Sequence, residues 1–312
     1  MSSTITQTFA LATESKSAQR RDLPTQILHA DEEAYAKQLE PFGGKEDMTK
    51  GGDVYYPNPP KMAVDITVGD LTGREHEFNL EENGFCLAKQ VTKVMKTTED
   101  LQNNKKIKEE YYPEMQAWLK ELTGAPIVKV IHHGSRVSTS VHTANSIKKE
   151  EISQVTRPGP AVFGAHLDQS TWQGFNVIHK YFPDECESLL HGRCIIVNAW
   201  RPIKTVYKHP FGIADASTVP YTDLVVRANR WLTEIRESMG IRPNPTVHKW
   251  YYKFAQAADE VLVFKQFDNF GDARACPHSA FIDPDYEDAE PRESIEVRAI
   301  LLWPDDKSTV LS

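Results

Sequence analysis

Cysteine is scarce. Cys86, Cys186, Cys194 and Cys276 are the only four among 312 residues, and no two form a CxxC pair. That excludes a disulfide scaffold and leaves free thiols packed as small hydrophobes. Long apolar runs are also missing, so no segment can span a bilayer as a helix. Basic residues fall short of acidic ones, 36 against 44, for a net charge of −8. Proteins that grip a nucleic-acid backbone carry the opposite excess on one face, so neither nucleic acid nor membrane is an expected partner. The opening stretch MSSTITQTFALATESKSAQRRD places its positive charges after a weak apolar run, the reverse of a secretory leader. A cytoplasmic protein, monomer or homodimer, is the expectation.

Hydrophobic residues make up 40% and charged residues 26%, enough apolar mass for a real core. The pattern predicts a single domain over 1–312. Residues 1–60 are polar, with clusters such as FGGKEDMTKGGD and YYPNPP, and read as a loosely packed N-terminal arm with order starting near Val64. Residues 61–125 read as supporting structure: a hairpin from Asp65 to Phe78, turning at Asp70–Gly73, then a helix from Glu109 to Leu122 stopped by Gly124 and Pro126. From 126 to 312 short β-branched runs take over, at 127–131, 175–178, 194–200, 261–267 and 294–303. Helices are expected from Pro183 to Gly192 and from Leu224 to Gly240, the second on a stripe of Leu224, Ala228, Trp231, Ile235 and Met239. Strands not spaced by regular helices argue against a doubly wound parallel sheet. The fold class expected is α+β, mainly β, with a jelly-roll core, supporting helices and an N-terminal extension.

One cluster carries chemistry: Ala165-His166-Leu167-Asp168-Gln169. Residues two apart on a strand point the same way, so His166 and Asp168 can meet one metal ion. Cys276-Pro277-His278 supplies a second histidine after the strand VLVFKQF. Two His and one carboxylate on one face of a metal leave the other face open, as in non-haem Fe(II) oxygenases. Structural zinc is closed by four protein ligands, usually including Cys. The HxD pair alone is a weak signal. It sharpens because Arg292-Glu293-Ser294 opens the last long strand fourteen residues after His278. A guanidinium fork and a hydroxyl on one face suit the far carboxylate of 2-oxoglutarate.

With these residues in view, the chain resembles the Fe(II)/2-oxoglutarate-dependent oxygenases of double-stranded β-helix fold. More narrowly, it is similar to the fungal hydroxylase/desaturase family of cephem-methoxylase-like and gibberellin-desaturase-like proteins. The matching segments are NGFCL (83–87), EEYYPEM (109–115), HLDQS (166–170), NAWRPI (198–203), ADAST (214–218), DEVLVFKQFDN (259–269), PHSAF (277–281) and PRESIEVRA (291–299). They cover about 80–300. The resemblance implies Fe(II) at His166, Asp168 and His278, 2-oxoglutarate at Arg292, O2 as oxidant and ascorbate as reductant in vitro. It implies hydroxylation, desaturation or oxidative cyclisation of a small molecule in fungal secondary metabolism. The family often carries an acidic residue where this chain reads Ile131-His132-His133-Gly134-Ser135-Arg136, so the substrate does not carry over.

Other residues have a bland reading beside the functional one. Asn198 is a donor to the near carboxylate of 2-oxoglutarate or a buried amide, and Arg298 is the reserve clamp. Glu296 lies between Arg292 and Arg298 and can pair with either. Arg136, Arg201 and His133 are candidate substrate contacts, against salt bridges or surface positions, and His132 and His133 point to opposite faces of a strand. Gln169 and Trp172 are placed at the pocket mouth. The acidic loop 283–291 reads as a solvated face or a lid. An amino acid or peptide-derived substrate is favoured by the Arg and His nearby, ahead of an apolar alkaloid or terpenoid. Two other functions remain: a zinc hydrolase with the same His/Asp/His ligands, and a non-catalytic β-sandwich binding protein.

Overall fold

The computed structural model describes residues 20–39, 60–137, 159–231, 234–270 and 275–306. Their strands form two sheets. The larger contains β1 (Leu23–Ala30), β2 (Lys61–Asp70), β5 (His166–Leu167), β7 (Phe211–Ala214), β8 (Leu224–Trp231), β9 (Glu234–Ile241), β10 (Trp250–Tyr252) and β12 (His278–Ala280), in the order β1-β2-β10-β7-β12-β5-β9-β8. The smaller contains β3 (Phe85–Lys89), β4 (Ile127–Val137), β6 (Arg193–Pro202), β11 (Glu260–Asp268) and β13 (Glu293–Trp303), in the order β3-β11-β6-β13-β4. Neighbours in the smaller sheet are all antiparallel. This is the mainly β, jelly-roll architecture that the short strands predict.

The smaller sheet is covered on both faces, which explains why β6 and β11 are buried along their whole length. Its outer face carries Ile195, Val197, Ala199, Val261, Val263, Ile295, Val297, Ala299 and Leu301. These pack on the helical layer: α2 (Thr98–Gln102), α3 (Asn104–Lys106), a π turn (Ile107–Tyr111) and α4 (Tyr112–Thr123). Helix α4 has Pro near its start and ends on Gly124 at φ 69°, the left-handed stop that Gly supplies cheaply. Met115 and Leu119 on its buried face each gain roughly 1.5–3 kcal/mol from leaving water. The inner face meets the larger sheet. One end is apolar, with Trp200, Leu262 and Phe264 against Phe211 and Ile213. The opposite end packs Cys194, Ile196, Phe267, Ile300 and Leu302 under α5 (Thr171–Tyr181) and α6 (Cys186–Leu190). Between them Asn198 and Arg298 make the same face polar, and Glu296 and Ser294 continue the polar residues along β13, level with Trp200 and Pro202.

Several expectations need correction. The arm expected over 1–60 contains an edge strand: β1 pairs with β2 from Leu23↔Val68 to Ala30↔Lys61, and α1 (Glu32–Leu39) follows it. β2 therefore lies between β1 and β10, and the hairpin expected over Asp65–Phe78 is a strand followed by a turn and a 3-10 turn at Glu75–Glu77. The run 175–178 is helical, inside α5, whose start is capped by Ser170 accepting from Gln173 N–H. The helix expected over Leu224–Gly240 is a hairpin of β8 and β9, paired from Leu224↔Ile241 to Trp231↔Glu234. The helix expected over Pro183–Gly192 is only Cys186–Leu190.

Candidate metal and co-substrate site

Antiparallel pairing of β5 with β12 sets His166 directly opposite His278, and their rings lie 4.4 Å apart between centroids. Asp168 follows two residues after His166. Its backbone N–H donates to Gln266 Oε1 at 2.9 Å, which fixes the loop. One ligating atom from each of His166, Asp168 and His278 falls within 4.8 Å of the others. Both imidazoles are oriented from behind. His166 Nδ1 lies 2.8 Å from the Gly164 carbonyl, and His278 Nδ1 lies 3.2 Å from that of Cys276. A carbonyl only accepts, so Nδ1 carries the proton in each ring and Nε2 is free to ligate. Phe211 stacks on His278 at 5.4 Å and Phe264 tilts against it at 4.9 Å, holding its plane.

Burial and the neighbouring His166 push the His278 imidazole down to about 3, so it is neutral. Burial also opposes charge on His166, but the Asp168 carboxylate outweighs it and holds this ring above its usual value. Asp168 is itself buried, which favours its neutral form. The Arg298 guanidinium, with the hydrogen bond from His166, overcomes that and keeps the carboxyl well below the usual range. Arg298 Nη2 donates to Asp168 Oδ2 at 2.6 Å and Asn198 Nδ2 to the same oxygen at 2.7 Å. Arg298 Nε donates to Asn198 Oδ1 at 3.0 Å, and Asn198 Nδ2 also reaches Glu296 Oε1 at 3.0 Å. Arg298 and Asn198, expected at the co-substrate, both donate to the Asp168 carboxylate.

Arg292 and Ser294 lie at the start of β13. Arg292 Nη1 donates to the His209 carbonyl at 2.7 Å and its guanidinium lies 5.5 Å from the Trp200 ring. Arg292 Nε and Ser294 Oγ are buried and have no partner. Burial and the nearby Arg136 charge lower the Arg292 guanidinium to about 10, against the favourable effect of Glu296. Two inward polar atoms left unsatisfied, beside a guanidinium stripped of water, are a cradle for an anion.

The candidate substrate residues divide. Arg136 stands directly across from Ser294 in the β4–β13 pairing, on the inner face. Gln169 is buried with Oε1 unpartnered, and Trp172 stands half-exposed in the first turn of α5. His133 turns outward, 2.8 Å from the Tyr112 hydroxyl of α4. His132 is the histidine on the inner face, across from Arg298, and burial with the Arg298 charge lowers it to about 4. Arg201 also faces outward. It is fully buried against the Tyr111 hydroxyl at 3.1 Å and the carbonyls of Gln90 and Ala258 at 2.8 Å each. Neither His133 nor Arg201 reaches the site, because strand parity sends them to the helical layer.

One residue of the site escapes a reading of the sequence, and one property of another does. Gln266 is the extra residue of a bulge between Lys265 and Phe267, and a bulge has no sequence period to betray it. Glu296 shares its face with Ser294 and Arg298, a parity legible in the sequence. Its protonation was not, since burial and the Asp168 charge raise it to about 7.

A family model described as an oxidoreductase/YMDC permease-like domain matches residues 28–302. Among the described residues no helix is long and apolar enough to cross a membrane. The chain is 35% identical over 245 residues to the alpha-ketoglutarate-dependent dioxygenase phiK of a fungal species (strain ATCC 74256), covering 76% of this chain and 83% of that protein. It is 32% identical over 257 residues to the hydroxylase/desaturase efuI of Hormonema carpetanum, covering 78% and 84%. Among solved structures, the iron and alpha-ketoglutarate-dependent endoperoxidase NvfI superposes with a TM-score of 0.73 at 22% identity, over 90% of this chain and 98% of that one. That likeness establishes the shared fold.

Proposed function

Because the chain belongs to the fungal Fe(II)/2-oxoglutarate-dependent hydroxylase/desaturase family of oxidoreductases, we propose that His166, Asp168 and His278 hold the iron and that Arg292 with Ser294 holds 2-oxoglutarate. The observation that carries this reading is the pair of buried, unpartnered atoms, Arg292 Nε and Ser294 Oγ, on the inner face of the strand that also presents Arg298 to Asp168. The donor set fits the metal: two imidazole Nε2 atoms and one anionic oxygen, with no fourth His, Cys or carboxylate joining the group among the described residues.

When bound, iron with 2-oxoglutarate and O2 supplies oxidation of an unactivated C–H, with succinate and CO2 as co-products. The chain supplies position and dryness. Gly164 and Cys276 carbonyls fix the imidazole tautomers, and Gln266 fixes the loop that carries Asp168. Arg292 and Ser294 bind the far carboxylate and so set where the co-substrate chelates. Trp200, Phe211 and Phe264 exclude water from one side of the site. The substrate is a small molecule, and Arg136 on the inner face of β4 favours a polar one, such as an amino acid or peptide-derived compound. The product is hydroxylated, desaturated or cyclised according to which substrate carbon the site holds nearest the iron.

The test incubates apo-protein with Fe(II), ascorbate, O2 and labelled 2-oxoglutarate and measures succinate. Wild-type protein is expected to form it, slowly in the absence of substrate, and Asp168→Ala to lose it by losing the anionic ligand. No succinate from wild-type protein, with zinc found by metal analysis, would favour the hydrolase. That alternative leaves the Arg292 and Ser294 cradle without a ligand.

A further inference from the structure

Across the inner face of the smaller sheet, one row of paired residues lies beneath the metal ligands: His132, Arg298, Asn198 and Phe264, contributed in turn by β4, β13, β6 and β11. The two central members close a ring with Asp168. Arg298 donates to Asp168 and to Asn198, and Asn198 donates back to Asp168. Both donors use the same carboxylate oxygen, Oδ2. Oδ1 receives neither and lies 3.5 Å from His166 Nε2, nearer than the 3.9 Å between Oδ2 and His278 Nε2. A free carboxylate can meet a metal through one oxygen or two. Here one oxygen is engaged by a guanidinium at 2.6 Å and an amide at 2.7 Å, both anchored in buried strands.

We propose that Arg298, with Asn198, is a positioning residue that limits Asp168 to a single ligating oxygen, Oδ1, and so keeps a coordination position for the co-substrate. The inference rests on the iron reading of the site and says what sets its vacancy. A carboxylate not held in this way would be free to bring its second oxygen to a bound metal, in the place a chelating co-substrate needs. The arrangement has a cost. A guanidinium close to a cation site repels the cation, so Arg298 weakens metal binding in exchange for an open position.

The experiment titrates metal-free wild-type, Arg298→Met and Arg298→Lys proteins with Co(II), which reports coordination number through its d–d absorption, without 2-oxoglutarate. Circular dichroism checks the fold. In Arg298→Met the second oxygen loses its guanidinium donor, Asn198 loses the Arg298 Nε contact that anchors it, and the positive charge is removed. Co(II) affinity is expected to rise on the order of tenfold, and the d–d bands to weaken as coordination number increases. Affinity of the Co(II) form for 2-oxoglutarate is expected to fall. Arg298→Lys keeps the charge in the core and decides the matter if the Met variant does not fold. An ammonium lacks the fork that spans Asp168 and Asn198, so the bands shift in this variant too. If both variants show the wild-type Co(II) spectrum and affinity, and only 2-oxoglutarate binding changes, Arg298 is a co-substrate clamp and the proposal is wrong. If wild-type protein takes up no Co(II) at all, the iron reading fails and this inference with it.

Discussion

For single side chains, parity along a strand decides which belong to the site. Ser294, Glu296 and Arg298 face inward while Ile295, Val297 and Ala299 face the helical layer, and the alternation of β13 made that legible in the sequence. The same rule separates His132 from His133, but not which of them is inside, since β4 is an edge strand of the smaller sheet with a half-polar sequence. Arg292 carries the sharpest prediction. Replacing it with Met removes a charge-assisted contact of about 1.5–3 kcal/mol, so 2-oxoglutarate affinity should fall roughly 10- to 150-fold. Co(II) affinity of the same variant should stay near the wild-type value, since Arg292 makes no contact with Asp168. Calorimetric titration of each ligand separates the two. A loss of metal binding with intact 2-oxoglutarate binding would reverse the assignment.

Among helices and strands, local pattern and tertiary demand disagree in two places, and the site lies beside both. Phe175-Asn176-Val177-Ile178 looks like a strand because two β-branched residues follow an aromatic one, the first of them at a spacing of two. The Ser170 cap and the need to cover Phe267 and Ile196 make it helix α5. Leu224–Gly240 has apolar residues at helical steps, yet it folds as a hairpin because β5, only two residues long, requires a neighbour. Gly240 of β9 pairs with His166 itself. A helix there would leave the backbone of the strand that carries His166 unpaired on that side. The packing of α5 is testable at Gly174. A Cβ at this position would collide with the Phe267 ring. Gly174→Ala should therefore destabilise the fold by about 1–3 kcal/mol despite the better helix propensity of Ala, read as a lower urea midpoint. A midpoint at or above the wild-type value would show that Phe267 moves aside freely.

Across the protein as a whole, a metal held as proposed would act as a tie. His166 and His278 stand on neighbouring strands of the larger sheet, while Asp168 is held by Arg298 and Asn198 of the smaller one, so an ion on these three ligands would join both layers. Because it binds the folded state, a hundredfold excess of Co(II) over its dissociation constant should stabilise the protein by about 2.7 kcal/mol. Chelation should lower the melting temperature by several degrees and re-addition restore it. Asp168→Ala should show a much smaller metal-dependent shift. An identical shift in that variant would place the ion elsewhere.

The chemistry of the site could be read from the chain alone. HxD, a distant His and the RxS pair were identifiable because ligand type and period-2 spacing are local properties, and the strands at 194–200, 261–267 and 294–303 were clear from β-branched runs with period-2 alternation between turn residues. The partners of those residues could not be read this way. Folding placed β1 in the larger sheet, sent Arg201 and His133 to the far side of the smaller one, and gave Arg298 to Asp168. Such outcomes depend on which strands become neighbours and in what register, and that is fixed by burial and hydrogen bonding between segments far apart in the chain.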